Sequence, residues 1–422
     1  MKRISILASC LGFCCVATDS AVAEKQVIAK AQFPAPQSSE TDKEWNCYWP
    51  AYYLRYHAYD VPRSVVSPLL TQDPEAKKLP LVQPSPVFVP VPRAAEPACH
   101  DYSDLDAEGR PIWFDGIAAG QLSNLVQMLL AQEKFADLDR LIDDWTSRQE
   151  RIADGRWKLT FLLDGFKNQS YQPNGWERMG AIIQRWKAAN PTSAGAAIAE
   201  ANYYYSLAWK ARGGGYASSV ESEGWRLFEE RLRKVERILS DSKSYASRNP
   251  LWGNLYLDVV ALLNWPRERQ YELYRAVTKE HKYYYWAYDA YITFLAPKWG
   301  GDWSLVDAVI KDAEEKTRDV DGASTYTRMY WLVSGSEEIG FNIFKDTRAD
   351  WPHMRQGFKD MLRLYPHSAW NANAYAVFAC LARDGDSFWE ARARMKDKIM
   401  EQAWPSNLSI DVCEARFPGH AL

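Results

Sequence analysis

The stretch Trp209-Lys-Ala-Arg-Gly-Gly-Gly-Tyr-Ala-Ser-Ser-Val220 decides the fold. Three consecutive glycines follow two basic residues and precede two serines, which suits either a phosphate cradle in an α/β protein or a turn between two helices. A Walker loop needs Gly-x-x-x-x-Gly-Lys-Ser/Thr entered from a strand. Here Lys210 precedes the glycines, and Ile198, Ala201, Tyr205 and Ala208 lead into them at helical spacing. A dinucleotide-binding loop fails on the same strand requirement. The stretch therefore reads as a helix-turn-helix junction.

Two other stretches share its grammar, Pro297-Lys-Trp-Gly-Gly-Asp-Trp-Ser304 and Ala382-Arg-Asp-Gly-Asp-Ser-Phe-Trp389. In each, a basic residue lies before the glycine, and a serine with an acid three positions on lies after it. Ser218 with Glu221, Ser304 with Asp307 and Ser387 with Glu390 have capping-box spacing, which satisfies the free N–H groups that open a helix. The glycine is expected in the left-handed conformation that closes the preceding helix.

Outward from these junctions the apolar period is helical. Leu122, Leu125, Val126 and Leu129 form one stripe, and Phe135, Leu138, Ile142 and Trp145 form the next after a break at Gln132-Glu-Lys134. Trp225, Phe228, Leu232, Val235 and Leu239 give the clearest case, with Phe358, Met361, Leu362 and Tyr365 following, then Trp370, Ala374, Val377 and Leu381. Amphipathic helices joined by so few residues pack as antiparallel neighbours. Asn190-Pro-Thr-Ser-Ala194, Tyr365-Pro-His-Ser-Ala369 and, more loosely, Arg248-Asn-Pro-Leu-Trp252 punctuate the pattern as tetratricopeptide-like hairpins are punctuated. The expected fold is all-α, a tetratricopeptide-like stack of helical hairpins forming an α-solenoid over residues 111–422, whose hairpins pack against their neighbours.

The N-terminal quarter differs. Lys2-Arg3, the apolar Ile4–Ala17 and the small residues Ala21-Val22-Ala23 read as a signal peptide, residues 1–23, cleaved after Ala23. Its apolar run is shorter than the roughly 20 residues that span a bilayer, and no later run suffices, so no transmembrane segment is expected. Leu7-Ala8-Ser9-Cys10 resembles a lipoprotein processing site but shortens the apolar core to Ile4–Ser9, so it ranks second. Residues 24–110 are rich in proline, which removes helical N–H donors and favours extended backbone; they read as an extended arm. Export makes the protein periplasmic or secreted. Four cysteines outlast the signal, and the favoured pairing is Cys47–Cys99 with Cys380–Cys413, each within its own region. The alternative for Cys380 is a buried thiol on an apolar helix face.

Net charge is −3, which gives no electrostatic reason to expect nucleic acid as a partner. His-Glu-x-x-His and Gly-x-Ser-x-Gly are both missing, and the six histidines lack metal-ligand spacing. Cys99-His100-Asp101 is no triad, because adjacent side chains do not converge on one point. No catalytic residue, metal ligand or cofactor is therefore assigned. The aromatic runs Tyr203-Tyr-Tyr205 and Lys282-Tyr-Tyr-Tyr-Trp286, read as helical, place only one or two rings each in the core. Trp209, Lys210, Arg212 and Tyr216 form the candidate ligand site, with the two cations suited to an anion or to a plain helix C-terminus.

Several motifs occur in order: Phe135-Ala-Asp-Leu-Asp139, Ala153-Asp-Gly-Arg-Trp-Lys-Leu159, Ala208–Ala217 with Gly224-Trp225 and Phe228-Glu-Glu-Arg-Leu232, then Pro297-Lys-Trp-Gly-Gly301, Asp350–Phe358 and Phe378-Ala-Cys-Leu-Ala382. Together, over roughly residues 120–390, they resemble the bacterial DUF4034 domain family, tetratricopeptide-like and of unknown function. The resemblance implies helical repeats and carries no catalytic residues. The expected role is a non-enzymatic scaffold that binds a protein or peptide in the cell envelope. The alternative is an envelope enzyme or glycan-binding protein that uses carboxylates and aromatics in a groove.

Overall fold

A computed structural model describes residues 115–170, 175–335, 342–366, 368–395, 399–400, 403–405 and 407–418. The expected signal peptide with Cys10, the arm, and Cys47 and Cys99 lie outside the described residues. Among those residues the chain forms 17 α-helices and no strand, only an isolated bridge between Arg151 and Trp157. It is an all-α stack.

The first helices are α1 (Asp115–Ala131), α2 (Phe135–Ser147), α3 (Phe161–Ser170), α4 (Gly175–Ala189), α5 (Ala194–Arg212) and α6 (Ser222–Asp241). The middle of the stack holds α7 (Lys243–Ala246), α8 (Pro250–Leu262), α9 (Arg267–Glu280), α10 (Trp286–Thr293), α11 (Trp303–Asp321) and α12 (Ser324–Ser334). The chain continues with α13 (Ile343–Asp346), α14 (Trp351–Leu364), α15 (Ala369–Ala382), α16 (Gly385–Met395) and α17 (Ile410–Arg416). Ser193, Asn249 and Ser368 cap the starts of α5, α8 and α15, at the three proline-marked junctions. Each side-chain oxygen accepts an N–H that would otherwise lack a partner at the helix start.

Two kinds of helix alternate. In α2, α6 and α14 a narrow apolar stripe is buried and the remaining positions carry charge, so these helices cover the outside. In α8, α10 and α15 nearly every position is buried, so these lie inside, packed between neighbours. The stripes expected from sequence are buried except for Tyr365, Trp370 and Leu381, which are partly buried, and Trp225, exposed at the start of its run. Burying each large apolar side chain stabilises the fold by about 1.5–3 kcal/mol, so the stack rests on these stripes and not on helix propensity.

The three glycine junctions join helices as expected, but their chemistry differs. Asp302 caps α11, accepting from the N–H groups of Ser304 and Leu305, and Asp384 accepts from the Ser387 N–H at 3.0 Å. A carboxylate there meets the positive end of the helix dipole as well as the free N–H groups, so it takes the place expected for the serine. At the first junction Ser218 lies in a 3-10 turn, Ala217–Ser219, and Glu221 precedes α6 without a capping bond. Gly300 is left-handed as expected, whereas at the third junction Arg383 takes that conformation and Gly385 starts α16. The second aromatic run also departs from expectation. Residues 282–285 form a turn ahead of α10, so Tyr284, Tyr285 and Trp286 are all buried in succession.

Cys380, on the apolar helix α15, is bonded to Cys413 on α17 with a Cα–Cα separation of 5.8 Å. One further feature ties distant repeats together. The connection between α2 and α3 crosses the stack: Arg151 meets Asp321 at 3.1 Å and the Tyr365 hydroxyl at 2.7 Å. The Asp154 carbonyl accepts from Arg328 and from Asn371, while the Trp157 indole donates to the Tyr283 carbonyl. The stack thus adds long-range contacts to the neighbour packing expected of repeats.

Candidate functional site

Helices α5 and α6 form a long hairpin with the three glycines at its tip. Trp209 and Arg212 arise from the last turn of α5. Gly213, at φ 73° and ψ 173°, turns the chain out of the helix in a conformation open only to glycine. Arg212 is 4% exposed, and its Nη1 donates to the carbonyls of Gly213 at 2.8 Å and Gly215 at 3.0 Å. The guanidinium lies between two indoles, 5.5 Å from the Trp209 ring centre and 5.0 Å from Trp225. Its Nε and Nη2 are buried without a hydrogen-bond partner, as is the Trp209 indole nitrogen. Burial, with no anion paired to it, pulls the Arg212 pKa down.

The four residues singled out by sequence therefore do not act alike. Trp209 packs on Phe228 at 5.0 Å and over Arg212. Lys210 turns away, its Nζ 4.9 Å from the Trp176 ring centre. Tyr216 is 55% exposed at the tip. Beside the tip a cavity of about 360 Å³ is lined by Ala211, Arg212, Val220, Glu221, Glu223 and Leu227, among others. Glu223 is held by Arg226 at 2.7 Å, and Glu221 has no ion-pair partner among the described residues.

A second constellation escaped the sequence reading. In three helices a run of buried residues is interrupted by one partly buried position, and in each that position is an aspartate. Asp164 interrupts Phe161–Phe166 in α3, Asp258 interrupts Leu251–Val260 in α8, and Asp289 interrupts Trp286–Ile292 in α10. None of the three carboxylates forms a hydrogen bond or ion pair among the described residues. Water reaches each carboxylate, yet the surrounding protein disfavours its charge. Desolvation raises Asp289 to about 7 and Asp164 to about 6, the latter against the pull of Lys167 and Arg156. Asp258 is raised well above the usual carboxylate range by desolvation and then by the Asp289 charge, which places these two within electrostatic reach.

Asn254 Oδ1, one turn before Asp258, and the Trp286 indole nitrogen, one turn before Asp289, are also buried without partners. The sequence signal was a lone acid inside an apolar helical run, as in Leu255-Tyr-Leu-Asp-Val-Val260. Among the described residues no group of His, Cys, Asp and Glu side chains has the arrangement of a metal site.

Helices α1 to α6, with the crossing connection and the glycine hairpin, coincide with a known family. The model for DUF4034, a domain of unknown function, matches residues 122–232. The chain carries a DUF4034 domain. Arg151–Trp157, Asp164 and Arg212 lie inside the DUF4034 match, and Asp258 and Asp289 lie beyond it. The resembling motifs from Pro297 onward also fall outside the matched residues. No curated protein and no solved structure matches the chain.

Proposed function

We propose that this protein is a non-enzymatic scaffold that binds a protein or peptide partner of the cell envelope, seating a basic segment over Asp164, Asp258 and Asp289. The observation that carries the reading is the coincidence of water access with unpartnered carboxylate on three separate helices. A fold-making acid is normally paired or fully solvated; these are neither. A lysine or arginine side chain would supply the missing counter-charge and lower all three pKa values on binding. An envelope location draws support from the export-like N-terminus and from the Cys380–Cys413 disulfide, which suits an oxidising compartment. No helix among the described residues is long and apolar enough to cross a membrane.

Hexalysine is a defined probe for this reading. It should bind the full chain more tightly at pH 8 than at pH 5, since Asp289 and Asp164 ionise across that window. Changing all three aspartates to asparagine should weaken binding at least ten-fold and flatten the pH dependence. Equal binding by that variant, with the helical circular dichroism unchanged, would overturn the reading. Intact-mass analysis of the exported protein tests its location, with a mature start at Glu24 as the expected result.

One observation favours the second reading, an envelope enzyme or glycan-binding protein. Two carboxyl groups within electrostatic reach, with pKa values moved towards neutrality, are the raw material of general acid–base chemistry. Turnover of a bacterial glycan that is abolished by Asp289→Asn would establish it over the scaffold.

A further inference from the structure

The aspartates offer acceptors; the hairpin tip, independently of them, offers donors. We propose that the Nε–Nη2 edge of Arg212 is a receptor for a carboxylate carried by a peptide ligand. A guanidinium presents two N–H bonds in parallel along that edge, matched to the two oxygens of a carboxylate. In Arg212 this edge is the unused one, because Nη1 is taken by the carbonyls of Gly213 and Gly215. Those two bonds and the flanking Trp209 and Trp225 rings hold the plane of the fork, so little orientational freedom remains to be lost on binding.

An arginine kept only for the fold would be expected to have all its donors satisfied, since a buried unpaired donor costs about 1–3 kcal/mol and more when charged. The residue also lines the cavity beside the hairpin, whose volume of about 360 Å³ has room for a carboxylate and the residue bearing it. No second cation lines that cavity among the described residues. Lys210 faces Trp176 instead, and Arg226 lies outside the lining, paired with Glu223. One guanidinium fork without a companion charge suits a singly charged, planar carboxylate better than a phosphate dianion. Trp225, 36% exposed, keeps its ring centre 5.0 Å from the guanidinium, and Tyr216, 55% exposed, stands at the hairpin tip. Glu221, which also lines the cavity, is the one acid there without a counter-ion, so it repels or competes with the incoming carboxylate.

The test follows the Arg212 Nε–H resonance by NMR in the full chain as small probes are added. N-acetyl-dialanine with a free carboxylate should shift that resonance and quench tryptophan fluorescence, while its C-terminal amide should do neither. N-acetyl-glutamic acid diamide distinguishes an acidic side chain from a chain terminus as the source, and binding by either carboxylate supports the proposal. Arg212→Lys keeps the charge but loses the fork, and should weaken binding at least ten-fold; Glu221→Gln should strengthen it several-fold. The proposal is overturned if saturating carboxylate leaves the Arg212 resonance in place, if the amide binds equally well, or if inorganic phosphate is preferred. Should Arg212→Lys fail to fold, the resonance and Glu221→Gln still decide. Hexalysine binding reads the aspartates separately, so either site can fail alone.

Discussion

Arg151 and Arg212 are both well covered by protein, and their surroundings treat them in opposite ways. Burial works to lower the Arg151 pKa, but the Tyr365 hydroxyl and the Asp321 carboxylate more than offset it and leave the pKa raised. At Arg212 burial acts without an anion to oppose it, and the pKa is lowered. The first arginine belongs to a connection that pins the DUF4034 domain to helices far along the chain. The second stands at a hairpin tip, using one nitrogen to shape the turn and leaving two donors unused. One guanidinium is matched by an anion of the fold, and the other is buried without one.

The largest expected effect breaks the paired side of this comparison. Asp154 is fully buried and holds Arg156 at 2.6 Å. Asp154→Ala should cost about 3–5 kcal/mol in chemical denaturation, because an uncompensated charge is left inside. Cys380→Ser sets a scale from another tie: losing the constraint on the unfolded chain should cost about 2–4 kcal/mol. At the hairpin, Gly213→Ala forces a side chain into a glycine-only conformation and should cost about 1–3 kcal/mol. Gly214→Ala, with no positive φ and open space around its Cβ, should be close to neutral.

A pH-dependent effect of comparable size concerns charge left unpaired at the expense of stability. The folded pKa of Asp289, about 7, lies above the unfolded value near 3.9, so the folded state holds its proton longer. Wild-type stability relative to Asp289→Asn should therefore fall as pH rises from about 4 to about 7, by on the order of 1 kcal/mol per pH unit, then level off. Thermal melts of the two proteins across that range would measure the difference. A small stability effect is also expected from Arg212→Lys, about 1 kcal/mol or less, since only the turn bonds of Nη1 are altered. A loss as large as that of Asp154→Ala would erase the distinction between the two arginines.

How much of this was legible in the sequence follows from what each feature depends on. Helical stripes such as Phe228, Leu232, Val235 and Leu239 are set by local period, and they are buried as read. The Cys380–Cys413 pairing was favoured because both residues lie in one region, and the structure shows it. The capping residue was misassigned at the second and third junctions because serine and aspartate stand close together there and both can cap, and at the first Glu221 makes no capping bond. The burial of Tyr284, Tyr285 and Trp286 was missed because a turn, unlike a helix, can send successive side chains the same way. The aspartate constellation was missed because α3, α8 and α10 are far apart in the chain, and a lone acid in an apolar run gives no hint of its companions.

The sequence by itself determined that the body is a stack of helical hairpins, where its junctions fall, and that the three glycines make a turn and no phosphate loop. Period, proline and glycine act over a few residues, so they can be read without knowing the neighbours. Only the tertiary structure decided that Lys210 faces a tryptophan while Arg212 keeps a free edge, and that three distant aspartates share water access without partners. Whether a polar group is paired depends on what the rest of the chain brings to it, and that is settled by packing.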